Sequence, residues 1–166
     1  MISYPDFMLR SFVDISIDFL NTHHVETLIV DLDNTLVGWH SHDIHPATLE
    51  HVTLLKNHGV ALCIASNTYN FRRLASLAQS LGIDYYPANA RKPGPSGVLA
   101  ALQIVKRPAF TAAMVGDQLL TDMQAGRRAG IRTILVNPLT TQDFIGTRLV
   151  SRTIEALFLR GDKARP

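Results

Sequence analysis

The chain has 166 residues, 46% hydrophobic and 18% charged, which is enough for one globular domain with a proper core and little to spare for a second. A formal net charge of +2 is too small to argue for nucleic acid, and no apolar stretch approaches the roughly 20 residues that span a bilayer. Cys63 is the only cysteine, so no intrachain disulfide can form, and the N-terminus lacks the basic-then-apolar order of a secretory signal; a cytoplasmic protein is expected.

In chain order, the first 25 residues carry Phe7, Met8, Phe12, Val13, Ile15, Ile17, Phe19 and Leu20. They are too apolar for a free tail, and an N-terminal arm packed on the core is expected. A β-rich run comes next at Thr27–Val30, then a helix over Pro46–Asn57 that opens on a proline and meets His58-Gly59 at its end. The run Val60–Ala65 is a second strand, with Cys63 as a buried structural thiol. A helix over Phe71–Ser80, a weak strand near Ile83–Tyr86 and a helix over Ser96–Val105 succeed it. The strand Thr111–Val115, the helical stretch Leu119–Ala129 and the strand Thr133–Val136 complete the alternation. Continuous apolar strands separated by helices indicate a parallel sheet covered on both faces. The expected fold is therefore α/β, a doubly wound parallel sheet of about five strands, in a single domain over residues 1–166 that ends in a C-terminal helix and basic tail at 146–166. Ligands of such sheets bind outside the carboxyl ends of the strands.

The segment after each of the first four strands is polar. Asp31-Leu32-Asp33-Asn34-Thr35 succeeds the first run and Ser66-Asn67-Thr68 the second. Arg91-Lys92-Pro93-Gly94 comes after the weak third, and Gly116-Asp117 through Asp122 after the fourth. Carboxylates gathered at one rim repel one another unless a cation sits among them. Two carboxylates two residues apart can divide the work of phosphoryl transfer: one attacks phosphorus, and the other moves protons. Two later aspartates complete an oxygen-only shell that suits Mg²⁺ rather than zinc. A hydroxyl and backbone N–H groups can hold phosphate oxygens, and a lysine can neutralise the transferring group.

These four ordered stretches resemble the motifs of the haloacid dehalogenase superfamily, and the resemblance covers nearly the whole chain. Within it, DLDNTLV, ARKP and GDQLLTD followed by Ala125-Gly126 resemble the YqeG-type, subfamily IIIA group, which includes the mitochondrial and plant phosphatidylglycerophosphate phosphatases. The resemblance implies a Mg²⁺-dependent phosphatase with Asp31 as nucleophile and Asp33 as general acid/base, the Asp33 main-chain oxygen also meeting the metal. Thr35 would support the first loop and count among the substrate-binding residues, Ser66 and the Asn67 backbone would bind the phosphoryl group, and Lys92 would bridge it to Asp31. Asp117 would be a direct metal ligand, and Asp122 a second acid that ligates or orients a metal-bound water. The implied substrate is a phosphomonoester, with phosphatidylglycerophosphate first and a soluble sugar, nucleotide or metabolite phosphate as the alternative. An interaction protein that keeps the fold without catalysis is the third class. A phospho-acceptor receiver domain shares the residue types, but it presents its lysine after the last strand and its aspartate after the third, unlike this chain.

The gaps Leu36 to Pro46 and Ser66 to Lys92 are too short for a cap domain, so the site is expected to be open. All seven histidines lie between His23 and His58; His40, His42 and His45 read as a solvated loop rather than a zinc site, with Trp39 or His40 in reach of substrate. Arg72-Arg73 and Arg127-Arg128 read as solvated helix faces, and Arg91 as a candidate anion contact. From Arg148 to the end the chain carries a net +3, against −1 for the first 147 residues. A helix through Thr147–Leu159 would set Arg148 and Arg152 beside an apolar side, an arrangement suited to peripheral contact with an anionic membrane.

Overall fold

The computed structural model describes residues 4–140. The expected C-terminal helix and basic tail lie outside the described residues.

Six parallel strands form the sheet: β1 (Phe7–Leu9), β2 (Thr27–Val30), β3 (Ala61–Ile64), β4 (Asp84–Tyr85), β5 (Ala112–Gly116) and β6 (Arg132–Val136), in the order β1-β6-β5-β2-β3-β4. Five correspond to the runs read from the sequence. The sixth, β1, comes from the N-terminal arm and pairs Phe7, Met8 and Leu9 with Ile134, Leu135 and Val136. Three residues carry too short a pattern to announce a strand; the neighbour that completes the pairing lies far along the chain. A 3-10 turn at Phe12–Asp14 and helix α1 (Ile17–Thr22) then bury Phe12, Ile15 and Leu20 against the domain.

Each strand sends alternate residues to opposite faces. Leu28 and Val30 of β2, Leu62 and Ile64 of β3, and Ala113 and Val115 of β5 join one core with the arm, α2 (Pro46–Asn57) and α3 (Phe71–Leu81). Ile29, Cys63, Ala112 and Met114 face a second core with α4 (Ser96–Val105) and α5 (Gln124–Arg128). Two dry faces explain the uninterrupted apolar strands. Cys63 is fully buried and its thiol is pushed up to about 12 by burial and then by Asp84, so it is a core residue and no nucleophile.

Three local devices position the loops at the carboxyl edge. His45 caps α2 by accepting the Ala47 amide on Nδ1, which makes it a helix cap. Asn70 caps α3 through the Arg73 amide, and Gly82 ends it at φ 63°. Asp117 and Gln118 lead into a π-helical turn, Leu119–Met123, that runs on as α5, so the expected helix over this stretch begins irregularly.

The chain order crosses from β2 to β3 and β4 on one side, then returns to β5 and β6 on the other. The crevice at β2 is the topological switch point, and the loops around it carry all four polar stretches. Only a loop separates Val37 from α2, and only α3 and β4 lie between Ser66 and Lys92, so among the described residues no cap domain covers that edge.

Candidate active site

Strand β2 delivers Asp31 to the centre of the crevice, where its amide bonds the Val115 carbonyl of the neighbouring strand. Lys92 reaches across from the loop before α4 and donates to Asp31 Oδ1 at 2.6 Å; the same ammonium lies 2.6 Å from Asp122 Oδ1. All three side chains are buried. Asp117 completes the group: one oxygen each from Asp31, Asp117 and Asp122 lie within 4.8 Å of one another.

This cluster holds three carboxylates against one ammonium, an excess of about two negative charges in a buried place. Burial, Asp122 and Asp31 push the Asp117 carboxyl up to about 8, and its Oδ1 is buried without a hydrogen-bond partner. Burial pushes Asp31 up to about 6 even with Lys92 pulling the other way. For Lys92 itself burial works against the charge, but Asp122 and Asp31 together hold the ammonium above its ordinary range. A divalent cation among these oxygens would balance the charge and satisfy Asp117, and the all-oxygen donor set suits a hard ion. The residues present therefore fit a divalent metal. Among the described residues, no histidine belongs to such a group.

Close packing of Gly116 lets Asp122 reach this place. A Cβ on Gly116 would stand 2.2 Å from Asp122 Oδ2, and that oxygen accepts the Gln118 amide at 3.0 Å. Gly-Asp before the π-helical turn is thus a requirement of the carboxylate's approach.

Asp33 faces different partners. Arg73 grips it with both ends of the guanidinium, Nη2 to Oδ1 at 2.7 Å and Nη1 to Oδ2 at 3.1 Å, while the His40 amide donates to Oδ1 at 2.9 Å. Arg73 Nε donates to the Ser41 carbonyl at 2.8 Å. The expectation of a solvated Arg72-Arg73 face is therefore corrected for Arg73, which is buried, while Arg72 is exposed. The sequence does hold a usable signal. Arg73 lies on the same helical stripe as Leu74, Leu77, Ala78 and Leu81, all buried.

The carboxylates open into a cavity of about 360 Å³ lined by Asp31, Asp33, Ser66, Asn67, Lys92 and Asp122, together with Trp39, His40, Tyr69 and Asn70. Thr68, Gln118 and Thr121 also line it; they lie within the polar stretches after the second and fourth runs, but the sequence assigns none of them a role. Ser66 is buried, with its hydroxyl accepting the Thr68 amide. The Asn67 side chain has a role the sequence does not suggest: its Nδ2 donates to the Lys92 carbonyl and its Oδ1 accepts the Lys92 amide, both at 2.8 Å. This pair fixes the lysine loop. Asn89 in turn donates to the Asn67 carbonyl. Thr35, expected among the substrate-binding residues, is buried with its hydroxyl lacking a hydrogen-bond partner and does not line the cavity. Asn34, at φ 62°, bonds Thr140 through its side chain and ties the first loop to the segment after β6. Arg91 is exposed and does not line the cavity.

A sequence profile of the haloacid dehalogenase-like hydrolases matches residues 1–130. The chain belongs to that family. It is 34% identical over 161 residues to the Bacillus subtilis protein named Probable phosphatase YqeG, covering 97% of this chain and 92% of that one. A solved haloacid dehalogenase-like hydrolase from Bacteroides fragilis superposes with a TM-score of 0.50 at 28% identity, over 60% of this chain and 50% of that one; this chain spans about half that protein's length. The fold alone is shared with the D,D-heptose 1,7-bisphosphate phosphatase of B. bronchiseptica, at TM-score 0.53 and 18% identity over 67% and 80% of the two chains. As a member of the family the chain is a hydrolytic enzyme of the phosphatase kind.

Proposed function

We propose that this haloacid dehalogenase-like phosphatase cleaves phosphomonoesters with Mg²⁺ through a phosphorylated Asp31, and that its substrate is a lipid phosphate, phosphatidylglycerophosphate, converted to phosphatidylglycerol and phosphate. The observation that carries the chemistry is the Asp31, Lys92, Asp122 and Asp117 cluster, in which the candidate nucleophile stands beside a place that calls for a divalent cation. Asp31, Asp117 and the main-chain oxygen of Asp33 would hold the ion, with Asp122 adding negative charge beside it. The bound ion would screen the carboxylates from the incoming phosphate and polarise its oxygens.

The protein's own groups then act in order. An Asp31 oxygen attacks phosphorus and forms an acyl phosphate as the ester oxygen departs. Asp33 gives that oxygen its proton, and afterwards takes a proton from the water that attacks the acyl phosphate, releasing inorganic phosphate and restoring Asp31. Lys92 neutralises the transferring group, and the Ser66 hydroxyl with the Asn67 amide orients its oxygens. A fold kept only for docking would have no need of three carboxylates gathered around one buried lysine.

The lipid reading rests on the mouth of the cavity. Among the described residues no cap domain encloses a small molecule, and Trp39 (44% exposed) and Tyr69 (82% exposed) both line the cavity, with Phe71 and Leu120 exposed nearby in sequence. Exposed Trp and Tyr beside an open site suit the headgroup level of a bilayer. The +3 charge of the chain from Arg148 onward suits an anionic surface. Among the described residues no helix is long and apolar enough to cross a membrane, so contact would be peripheral. A soluble metabolite phosphate is the second reading, favoured by the small polar floor of the cavity.

The test is a phosphate-release screen with phosphatidylglycerophosphate in mixed micelles beside glycerol 3-phosphate, sugar phosphates and nucleoside monophosphates. Preference for the lipid by tenfold or more in kcat/KM supports the lipid reading. A soluble monophosphate turned over as well or better refutes it, and turnover of none refutes the phosphatase.

A further inference from the structure

The Asp33 contacts do more than satisfy a buried charge. Arg73 stands at the start of α3, three residues after the cavity-lining Asn70, and its Nε bonds the carbonyl of Ser41, which follows the cavity-lining Trp39 and His40 in the chain. Its planar fork holds both oxygens of Asp33, at 2.7 and 3.1 Å, and the His40 amide meets Oδ1 from the loop that also carries Ser41. The α3 cap fixes the helix start, because the Arg73 amide donates to Asn70 Oδ1 at 3.1 Å. The Arg73 side chain is 2% exposed and that of Asp33 is 12% exposed.

We propose that Arg73 is a positioning residue for Asp33: it fixes the carboxylate's rotation so that Oδ2, which accepts from Arg73 Nη1 alone while Oδ1 accepts from both Arg73 and His40, keeps a lone pair for the proton that goes to the leaving oxygen. The proposal rests on the reading of Asp33 as the acid that protonates that oxygen. An aspartate has two side-chain torsions, and a proton donor must come within hydrogen-bond reach of its target. A bidentate guanidinium removes that torsional freedom. A lysine at the same place offers a point charge with rotatable donors and would hold the anion without fixing its plane. The same residue ties the Ser41 loop to the start of α3.

Proton donation matters most when the departing oxygen is basic. The experiment compares kcat/KM for phenyl phosphate, a poor leaving group, and 2,4-dinitrophenyl phosphate, a good one, in the parent, Arg73→Lys, Arg73→Gln, Asp33→Asn and Arg73→Gln/Asp33→Asn enzymes. Because kcat/KM reports only steps up to phosphoenzyme formation, later hydrolysis does not enter. A lost general acid slows a reaction by about 10²- to 10⁴-fold. Asp33→Asn is expected to lose about 100-fold or more on phenyl phosphate and only a few-fold on the dinitrophenyl ester. Arg73→Gln is expected to follow it in kind, with about 30-fold against about threefold, and Arg73→Lys to fall between Arg73→Gln and the parent. The double variant should show no steeper dependence on the leaving group than Asp33→Asn alone.

The double variant also removes the buried aspartate charge that Arg73→Gln leaves unpaired, so it keeps the test open if the single variant fails to fold. Equal losses on both esters in every folded Arg73 variant would make Arg73 a structural tie and overturn the proposal. So would a double variant steeper than Asp33→Asn. No steepening in Asp33→Asn itself would overturn the acid role, and the proposal with it, while leaving the Asp31 chemistry intact.

Discussion

On one side of the cavity floor, Asp31 shares the Lys92 ammonium with Asp122, while Asp117 presents a buried oxygen with no partner. On the other, Asp33 has both oxygens taken by Arg73 and one of them also by the His40 amide. The two aspartates are two residues apart on one loop, yet their partners come from distant parts of the chain. Asp31's cluster gathers three carboxylates around one ammonium, and its residues fit a cation. Asp33's pair is complete and fixed in orientation. On the proposed reading, one loop presents one carboxylate for metal and phosphorus and another, held in a fixed orientation, for proton transfer.

The largest effect should come from the Asp31 side. Asp31→Asn is expected to lower kcat by about 10⁴-fold or more, since a nucleophile removed from a working site costs on that scale. Activity within tenfold of the parent, measured by phosphate release, would take Asp31 out of the reaction.

Next is the glycine that lets Asp122 approach. In Gly116→Ala the new methyl would lie 2.2 Å from Asp122 Oδ2 and 2.3 Å from its Cγ, so the carboxylate or the β5 backbone must move. Overpacking of this kind costs about 1–3 kcal/mol. Denaturant unfolding should show that loss, and divalent-ion affinity should fall with it. An unchanged affinity would place Asp122 outside the cluster's electrostatics.

The pH dependence separates the two sides further. Asp31 at about 6 and Asp117 at about 8 both stand above their ordinary value in the absence of a cation. A carboxyl raised on folding adds stability that is fully present below its unfolded pKa and is lost as pH rises through the folded one. The metal-free protein should therefore lose stability from about pH 4 upward, through about 6 and about 8. Mg²⁺, which favours the ionised forms, should raise Tm more at pH 8 than at pH 5, with proton release measurable by calorimetry in two buffers. A Tm increment independent of pH would contradict the reading. Asp117→Asn should remove most of the increment, whereas Arg73→Lys should retain it.

The smallest effect belongs to the rim. Trp39→Ala and Tyr69→Ala should each reduce turnover of a micellar lipid phosphate by about fivefold, the scale of one aromatic at an interface. They should leave p-nitrophenyl phosphate within about twofold, because the catalytic groups stay in place. Equal losses on both substrates would make the rim part of the catalytic pocket instead.

Much of this site is legible in the sequence, because its chemistry sits at strand ends and strands announce themselves by apolar runs. Asp31, Asp33, Ser66, Lys92, Asp117 and Asp122 all reach one crevice. Contacts that no local pattern encodes are not legible in the same way. Strand β1 needs β6 to exist as a strand. The Asn67 amide reads like any loop polar group until the Lys92 backbone is seen against it. Arg73 is masked by its twin, Arg72; only the phase of the helix tells the buried arginine from the exposed one. The π-helical start of the Leu119–Met123 turn depends on Asp122 folding back to the Gln118 amide, a geometry invisible in composition.

The central claim is that Asp31 itself carries the phosphoryl group. It is tested most directly by rapid acid quench of the enzyme turning over 2,4-dinitrophenyl phosphate with Mg²⁺, followed by peptide mapping in a mass spectrometer. A hydroxylamine-sensitive phosphate on Asp31, accumulating further in Asp33→Asn where hydrolysis is slowed, is the expected result. A phosphate on any other residue, or full turnover with no trapped phosphoenzyme in either protein, would contradict it.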